Sequence, residues 1–235
     1  RTRHASPLPA STTLPLLSNL YLPAMDQKSG PFGLSPDFSI IGLAMDVLEE
    51  VLKQGLQDVV AGPFWDPATV ATLFERGVGA EVTVDVGGKT DMPALELKGR
   101  PLRLSGVVER LTDGEYTVTG PMFTGVRQSL GRTAVLRVGS VRIFICERPQ
   151  EPYDAGVFTH AGVDPAKAHY VLLKSRQHFR AGFGPFARHV VLVSGPGVCS
   201  SDYGLFPFKQ LNRPMYPLDA DATMADGESW IPAAA

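Results

Sequence analysis

The sequence predicts an α/β fold in which strand–helix layers at both ends of the chain flank an inserted antiparallel β-hairpin region. Apolar residues recur at helical spacing early in the chain, and strand and helix patterns alternate again after residue 147. Between about residues 80 and 147, apolar and polar residues alternate with a period of two, which is typical of antiparallel strands. A chain of 235 residues is long enough to bury one large core or two small ones.

The first predicted helix follows a segment rich in proline, serine and threonine, which we interpret as a linker or disordered terminus over residues 1–24. Pro36-Asp37 supplies a start signal for the helix, and Gly55 ends it. The spacing of the apolar residues between these signals predicts one amphipathic helix. These apolar residues are Phe38, Ile41, Met45, Leu48 and Leu52.

A short strand and a second helix are predicted next. The run Asp58–Gly62 has the length and composition of a short buried strand. Asp66 is suited to cap the following helix, Pro67 fits its first turn, and Gly77 closes it. This strand–helix unit forms the first layer of the predicted fold.

The middle of the chain predicts consecutive antiparallel hairpins. The strand-like segments are AEVTVDV, PLRLSGVVERL, EYTVTG, TAVLRV and VRIFIC. Asp113-Gly114 and Gly139-Ser140 are tight-turn signals between them. Together they define the antiparallel region of about residues 80–147.

After Glu147 the pattern returns to alternating helices and strands. We predict a short helix near Asp154–His160, a strand at His169–Leu173, a helix across Arg176–Ala187 and a strand at His189–Val193. Residues 220–235 are predicted to be a disordered tail.

Composition excludes several classes of protein. The formal net charge of −2 gives no basic excess for binding nucleic acid, and the apolar runs are far too short to span a bilayer. The two cysteines, Cys146 and Cys199, form neither a CxxC pair nor a disulfide framework, which favours a reducing cytoplasmic location. The chain begins with Arg1, without an apolar signal segment, and is compatible with a fragment of a longer protein.

Common catalytic motifs are missing or incomplete. VDVGGKT ends like a phosphate-binding loop, but Thr83 stands where that motif needs glycine and a strand pattern follows instead of a helix, so we interpret it as a plain turn. No HExxH or G-x-S-x-G occurs, and the spacing of His178 and His189 matches no common local pair of metal ligands. We therefore predict no metal bound by this chain alone and no catalytic residue within it, and we interpret Cys199 as a structural thiol.

The segment KSRQHFRAGFGPFARH concentrates basic residues after a predicted strand. Lys174 lies at the strand end, Ser175 is suited to cap the next helix, and His178 shares a helix face with Lys174 at the i, i+4 spacing. A strand-end lysine beside a helix start suits a carboxylate or phosphate. Arg180 falls on another face of the helix. A solvated helix face with one half-buried histidine is the alternative interpretation.

Several strings together resemble the C-terminal domain of the microcystin-degradation protein family, the metallopeptidase-like group of microcystinase C. The strings keep the family order between about Asp58 and Asp219, within a predicted domain of residues 25–219. They are GPFWDPATV, GVGAEVTVDVGGKT, LTDGEYTVTGPMFTGV, LGRTAVLRVG, the segment from Gln150 through Asp154 to GVDP, KSRQHFRAGF and RPMYPLD.

The resemblance implies a larger N-terminal domain that carries the zinc ligands and the hydrolytic machinery, so the zinc ligands are carried over to no residue of this chain. It also implies a peptide-like or other amide substrate. Lys174, His178 and Arg180 are the residues that this domain would offer to a shared substrate cleft. Asp26 is a further substrate-binding candidate, although DQKSGPFGLSPDFS lacks the consecutive glycines of the family's turn.

Three hypotheses follow. The first is a substrate-binding domain of a microcystinase C-like zinc hydrolase that is inactive in isolation. The second is a non-catalytic binding or assembly module, or a degenerate remnant. The third is a self-sufficient enzyme that uses His178 as a general base, which is disfavoured because no nucleophile or orienting carboxylate is predicted beside it.

Overall fold

The computed structural model describes residues 43–175, 177–193, 203–220 and 222. Short 3-10 turns lie at Pro93–Leu95, Pro165–Lys167 and Tyr203–Leu205. In chain order, the helices and strands are α1 (Leu43–Lys53), β1 (Val59–Trp65), α2 (Pro67–Arg76), β2 (Glu81–Val86), β3 (Leu102–Thr112), β4 (Glu115–Thr117), β5 (Arg127–Ser129), β6 (Thr133–Val138), β7 (Val141–Cys146), α3 (Gly156–Thr159), β8 (Tyr170–Leu173) and α4 (Phe179–Phe183).

Six strands form one mixed sheet in the order β2-β3-β6-β7-β1-β8, and β4 pairs with β5 in a separate two-stranded sheet. The strands β2, β3, β6 and β7 pair antiparallel, whereas β7 and β8 both run parallel to β1. The α/β class and the antiparallel middle region are confirmed. The antiparallel strands continue the sheet that holds β1 and β8.

The first two helices end where the sequence predicts. Helix α1 stops two residues before Gly55, which adopts a left-handed φ of 65°. Asp66 caps α2 by accepting a hydrogen bond from the backbone N–H of Thr69 at 3.1 Å, Pro67 occupies the first turn, and Gly77 closes the helix. The predicted capping signals are therefore confirmed.

The core lies on both faces of the sheet because successive strand residues point to opposite sides. In β7, Ile143 and Ile145 pack on the face covered by α1 and α2, while Phe144 and Cys146 pack on the face covered by α3 and α4. The helix residues buried in these two clusters are Met45, Leu48, Val70 and Leu73 on the first face, and Val157, Phe158, Phe179 and Phe183 on the second.

Two predictions after β8 need correction. The predicted strand at His189–Val193 is wrong: these residues form no strand, and Val190 and Val191 are each 50% exposed. A short apolar run becomes a strand only when a neighbouring strand completes its hydrogen bonds, and no described strand does so here. The helix predicted over Arg176–Ala187 is only the five-residue α4, because glycine and proline interrupt it from Gly184 onward.

Some predictions fall on parts of the chain that lie outside the described residues. These include the linker over residues 1–24, Asp26 and its altered turn, Cys199, and nearly all of the tail over residues 220–235. Within the described ranges, no helix is both long and apolar enough to cross a membrane.

Candidate functional site

Three parallel strands bring their carboxyl ends to one edge of the sheet. Asp66 directly follows β1, Glu147 follows β7, and Lys174 follows β8. Ligands of open α/β sheets bind beyond the carboxyl ends of parallel strands. This edge is therefore the candidate site.

At this edge, the segment after β7 meets the segment after β8 through Glu151. One carboxylate oxygen of Glu151 accepts the Ser175 hydroxyl at 2.6 Å, and the other lies 2.8 Å from Nδ1 of His178. Ser175 Oγ in turn accepts the backbone N–H of Phe179 at 3.1 Å. The prediction that Ser175 caps α4 is wrong, because the N-cap position is His178, three residues later, and that position has no side-chain cap bond. Glu151 thus links the segment after β7 to Ser175 and His178, which immediately precede α4.

The contact with Glu151 constrains the imidazole of His178. A carboxylate only accepts hydrogen bonds, so the 2.8 Å contact with Glu151 is a hydrogen bond in the tautomer that has its proton on Nδ1. The remaining ring nitrogen, Nε2, then has a lone pair when the ring is neutral and a proton when it is charged. The side chains of His178 and Glu151 are 49% and 33% exposed, so an external ligand has access to the pair.

A close approach of backbones holds α4 against the segment after β7. A Cβ on Gly182 would lie 2.6 Å from the carbonyl oxygen of Tyr153 and 2.7 Å from Cα of Asp154, so only glycine fits without a shift. The buried Asp154 carboxylate accepts backbone N–H groups from Gly120 at 2.6 Å and from Gly156 at 2.7 Å. Three of the strings that carry the family resemblance therefore converge here.

Lys174 is partly buried at the end of β8, as the sequence predicted for a strand-end lysine. Arg180 is exposed, and its guanidinium lies 4.8 Å from the centroid of the Phe179 ring. Lys174, His178 and Arg180 are thus at the same end of the sheet. The predicted helix face shared by Lys174 and His178 is wrong, because α4 begins only at Phe179 and Lys174 precedes it. Glu151 is bonded to His178.

Cys146 ends β7 at the same edge but is not an activated nucleophile. Its side chain is buried, and Sγ donates a hydrogen bond to the carbonyl oxygen of Arg148 at 3.2 Å. Burial raises the pKa of the thiol to about 12, a larger effect than the lowering by the Arg148 hydrogen bond and by the charge of Lys174. The thiol is therefore protonated at neutral pH and acts as part of the core.

The VDVGGKT string forms a turn, as the sequence predicted. Gly87 and Gly88 both adopt a left-handed φ, and the next element is a 3-10 turn. Nζ of Lys89 lies 2.8 and 2.9 Å from the two carboxylate oxygens of buried Asp66, which also accepts the N–H of Gly87 at 2.9 Å. Lys89 is thus ion-paired with Asp66, and these contacts of Asp66 connect the turn after β2 to the start of α2.

The histidines of the described part of the chain do not converge. His169 pairs with Asp58 at 3.3 Å before β8 and β1, which is the opposite edge of the sheet from His178. His160 bonds through Nδ1 to the carbonyl oxygen of Gly156 at 2.9 Å. Within the described ranges, no group of three or more histidine, cysteine, aspartate or glutamate side chains is placed to hold a metal ion.

A polar cleft lies at the opposite edge, beside the amino ends of β1 and β7. Its charged groups are balanced, since Arg142 bonds Glu109 at 3.0 Å and Lys167 lies 3.7 Å from Asp164. Its lining residues include Asp58, Glu109, Arg110, Arg142, Asp164 and Lys167. Mixed charge of this kind favours a solvated surface over a specific ligand site, so the carboxyl edge remains the candidate.

Sequence reasoning missed Glu151. It lies between Gln150 and Asp154, a segment that carried the resemblance, but in an irregular stretch where no periodicity indicates the direction of a side chain. Its contacts with Ser175 and His178 span 24 and 27 residues. The expectation that no orienting carboxylate lies beside His178 is wrong.

Comparisons with known proteins agree on one family. The family model described as MlrC C-terminus matches residues 42–210. Microcystinase C of a Sphingomonas species is 31% identical over 185 residues, covering 79% of this chain and 34% of that protein. A crystal structure of a metallopeptidase-like protein from Mesorhizobium sp. BNC1 superposes with a TM-score of 0.61 at 28% identity, covering 74% of this chain and 34% of the other. The chain thus spans about a third of the length of each of these relatives.

Proposed function

Because this chain belongs to the family of MlrC C-terminal domains, we propose that it supplies the substrate-binding surface of a metal-dependent amide hydrolase similar to microcystinase C. The observation that carries the proposal is the carboxyl edge of the parallel strands, where Glu151 holds a half-exposed His178 four residues beyond Lys174. The identity and coverage of the relatives support a shared role for this domain.

Lys174, His178 and Arg180 are the proposed contacts to substrate. The ammonium group of Lys174 suits a substrate carboxylate or a polarised carbonyl oxygen, because charge-assisted hydrogen bonds are the stronger class. A partly buried position at the strand end strengthens such a bond by limiting the competition from water. The proposed substrates are peptides or other small amides that carry a negative charge.

The proposed zinc centre belongs to the longer protein outside the segment matched here. The donor set of the described residues does not fit a zinc site, since the Asp66 oxygens are occupied, the Cys146 thiol is protonated and the histidines are dispersed. A separate N-terminal domain that binds the metal is the proposed partner of this chain.

The arrangement of Ser175, Glu151 and His178 does not form a nucleophilic triad. In such triads the nucleophilic hydroxyl bonds the imidazole, and the carboxylate bonds the opposite ring nitrogen. Here the hydroxyl of Ser175 donates to Glu151 and not to His178. A self-sufficient serine hydrolase is therefore not supported, even though the carboxylate is present.

The experiment that tests the proposal compares the purified 235-residue chain with the longer protein of Sphingomonas. Metal content and hydrolysis of a panel of blocked peptides are measured for both, with and without a chelator. We expect metal and chelator-sensitive hydrolysis in the longer protein and neither in this chain. Stoichiometric zinc with chelator-sensitive turnover in this chain alone would overturn the proposed division of roles.

A further inference from the structure

The carboxylate of Glu151 is shared between two neighbours on the same segment. Its Oε1 accepts the Ser175 hydroxyl, and its Oε2 is paired with Nδ1 of His178. A link to Ser175 alone would join the segments after β7 and β8, because Ser175 follows β8 and its Oγ also accepts the backbone N–H of Phe179. The second bond goes to a half-exposed histidine, so it adds little to the link between the two segments. It favours the His178 tautomer that has its proton on Nδ1.

We propose that Glu151 is a positioning residue that keeps neutral His178 protonated on Nδ1, so that Nε2 accepts a hydrogen bond from an amide N–H of the substrate while Lys174 binds the substrate's anionic oxygen. This inference rests on the proposed function and assigns one substrate group to each side chain. A carboxylate on one ring nitrogen fixes the orientation and tautomer of an imidazole in the same way at metal sites and in catalytic triads.

The assignment follows from the hydrogen-bonding capacity of each group. Lys174 has donors only, so it can bind oxygen but not an N–H group. Neutral His178 with its Nδ1 proton directed at Glu151 has one remaining site, the lone pair of Nε2, which can only accept. A small ligand that carries both an amide N–H and a carboxylate therefore offers one suitable group to each residue, whereas a carboxylate alone offers a suitable group only to Lys174.

The test uses the 235-residue chain labelled with ¹⁵N in its histidines and lysines, and the Lys174→Met variant assigns the Lys174 signal. The protonated ring nitrogen of His178 is identified by NMR at about pH 9, where histidine side chains in general are neutral, and the His178→Gln variant assigns the signal. The same samples are titrated with N-acetylglycine, which has an amide N–H and a carboxylate, and with acetate, which has only the carboxylate. Glu151→Gln removes the charge at constant size, and Glu151→Asp retains it.

We expect the His178 proton on Nδ1 in the wild type and a shift of it toward Nε2 in Glu151→Gln. We also expect N-acetylglycine to bind about three- to tenfold more tightly than acetate, the value of one hydrogen bond. That preference should disappear in Glu151→Gln and be partly retained in Glu151→Asp.

Three results would overturn the inference or its premise, and they are distinguishable. A wild-type proton on Nε2 refutes the tautomer assignment. The expected tautomer with an unchanged preference in Glu151→Gln refutes the positioning role of Glu151. Failure of both ligands to shift any signal at Lys174 or His178 refutes the proposed substrate-binding function itself, whatever the tautomer.

Discussion

At the scale of single residues, exposure and hydrogen-bond partners determine whether a histidine is available to bind a ligand. His178 has an accessible ring and a carboxylate partner, so it is suited to binding a ligand. His160 has a carbonyl partner on Nδ1 and a buried Nε2 that lacks a hydrogen bond. Its ring stacks beside Tyr116 at 6.2 Å, and the buried Tyr116 hydroxyl is unpartnered as well. His160 therefore belongs to the core.

Burial lowers the pKa of His160, and the hydrogen bond to Gly156 opposes this effect only in part. The unfolded chain consequently binds more protons than the folded chain as the pH falls below the ordinary value of 6.5. The contribution of His160 to stability is complete above about pH 6.5 and is lost as the pH falls through the lowered folded-state pKa.

Replacing His160 with asparagine should reduce the sensitivity of stability to acid. Asparagine keeps an N–H donor for the carbonyl of Gly156 but does not titrate. The free energy of unfolding measured by urea denaturation at about pH 7.5 and pH 5.5 should differ less in His160→Asn than in the wild type. An equal or larger loss in the variant would show that His160 is not a source of the acid sensitivity.

At the scale of secondary-structure elements, the position of α4 depends on one glycine. Gly182→Ala should destabilise the protein by about 2–3 kcal/mol, because its Cβ would meet the backbone of Tyr153 and Asp154. Gly139→Ala is the control, because a Cβ at this position meets nothing within 4 Å. Only the left-handed φ of 59° disfavours alanine there, and we expect a loss of stability of about 1 kcal/mol. Chemical denaturation of both variants provides the comparison, and equal losses would refute the close-approach argument.

A second prediction at this scale concerns the buried Asp66 carboxylate and its ion pair with Lys89. Lys89→Met should destabilise the protein by about 2–3 kcal/mol, since it leaves the buried carboxylate without its cation. Adding Asp66→Asn should recover part of this loss, because asparagine still caps α2 and carries no charge. Urea denaturation of the single and double variants measures the coupling. A double variant less stable than Lys89→Met would contradict this interpretation.

The elements differ in how well the sequence predicts them. Local signals determine α2, because Asp66, Pro67 and Gly77 act within one helix, and the prediction there is confirmed. The five residues at His189–Val193 form a short β-branched, apolar run of the kind that buried strands have, but they have no partner strand among the described residues. Strand formation depends on distant pairing, which a single sequence does not reveal.

The candidate site also depends on contacts between segments that are distant in the sequence. Lys174 and His178 were predicted because a strand end and a helix start are local features of the sequence. Glu151 was missed because it reaches Ser175 and His178 only through the parallel alignment of β7, β1 and β8. The topology of the sheet, rather than any motif, creates the site.

At the scale of the whole molecule, the chain matches only about a third of the length of its relatives. It covers 34% of microcystinase C from Sphingomonas, and the described residues hold no candidate metal cluster. Lys174, His178 and Arg180 lie at the carboxyl edge of the sheet. The central claim is that this edge binds the substrate on which a metal centre elsewhere acts.

The most direct test is the Michaelis constant for a blocked anionic peptide, measured on the natural gene product that contains this chain. Lys174→Met should raise KM by about 10- to 100-fold, the value of a hydrogen bond to a charged group, and leave the metal content unchanged. Lys167→Met is the matched control, because this lysine is 84% exposed at the opposite edge of the sheet and should leave KM unchanged. An unchanged KM in Lys174→Met would contradict the claim that this edge binds substrate.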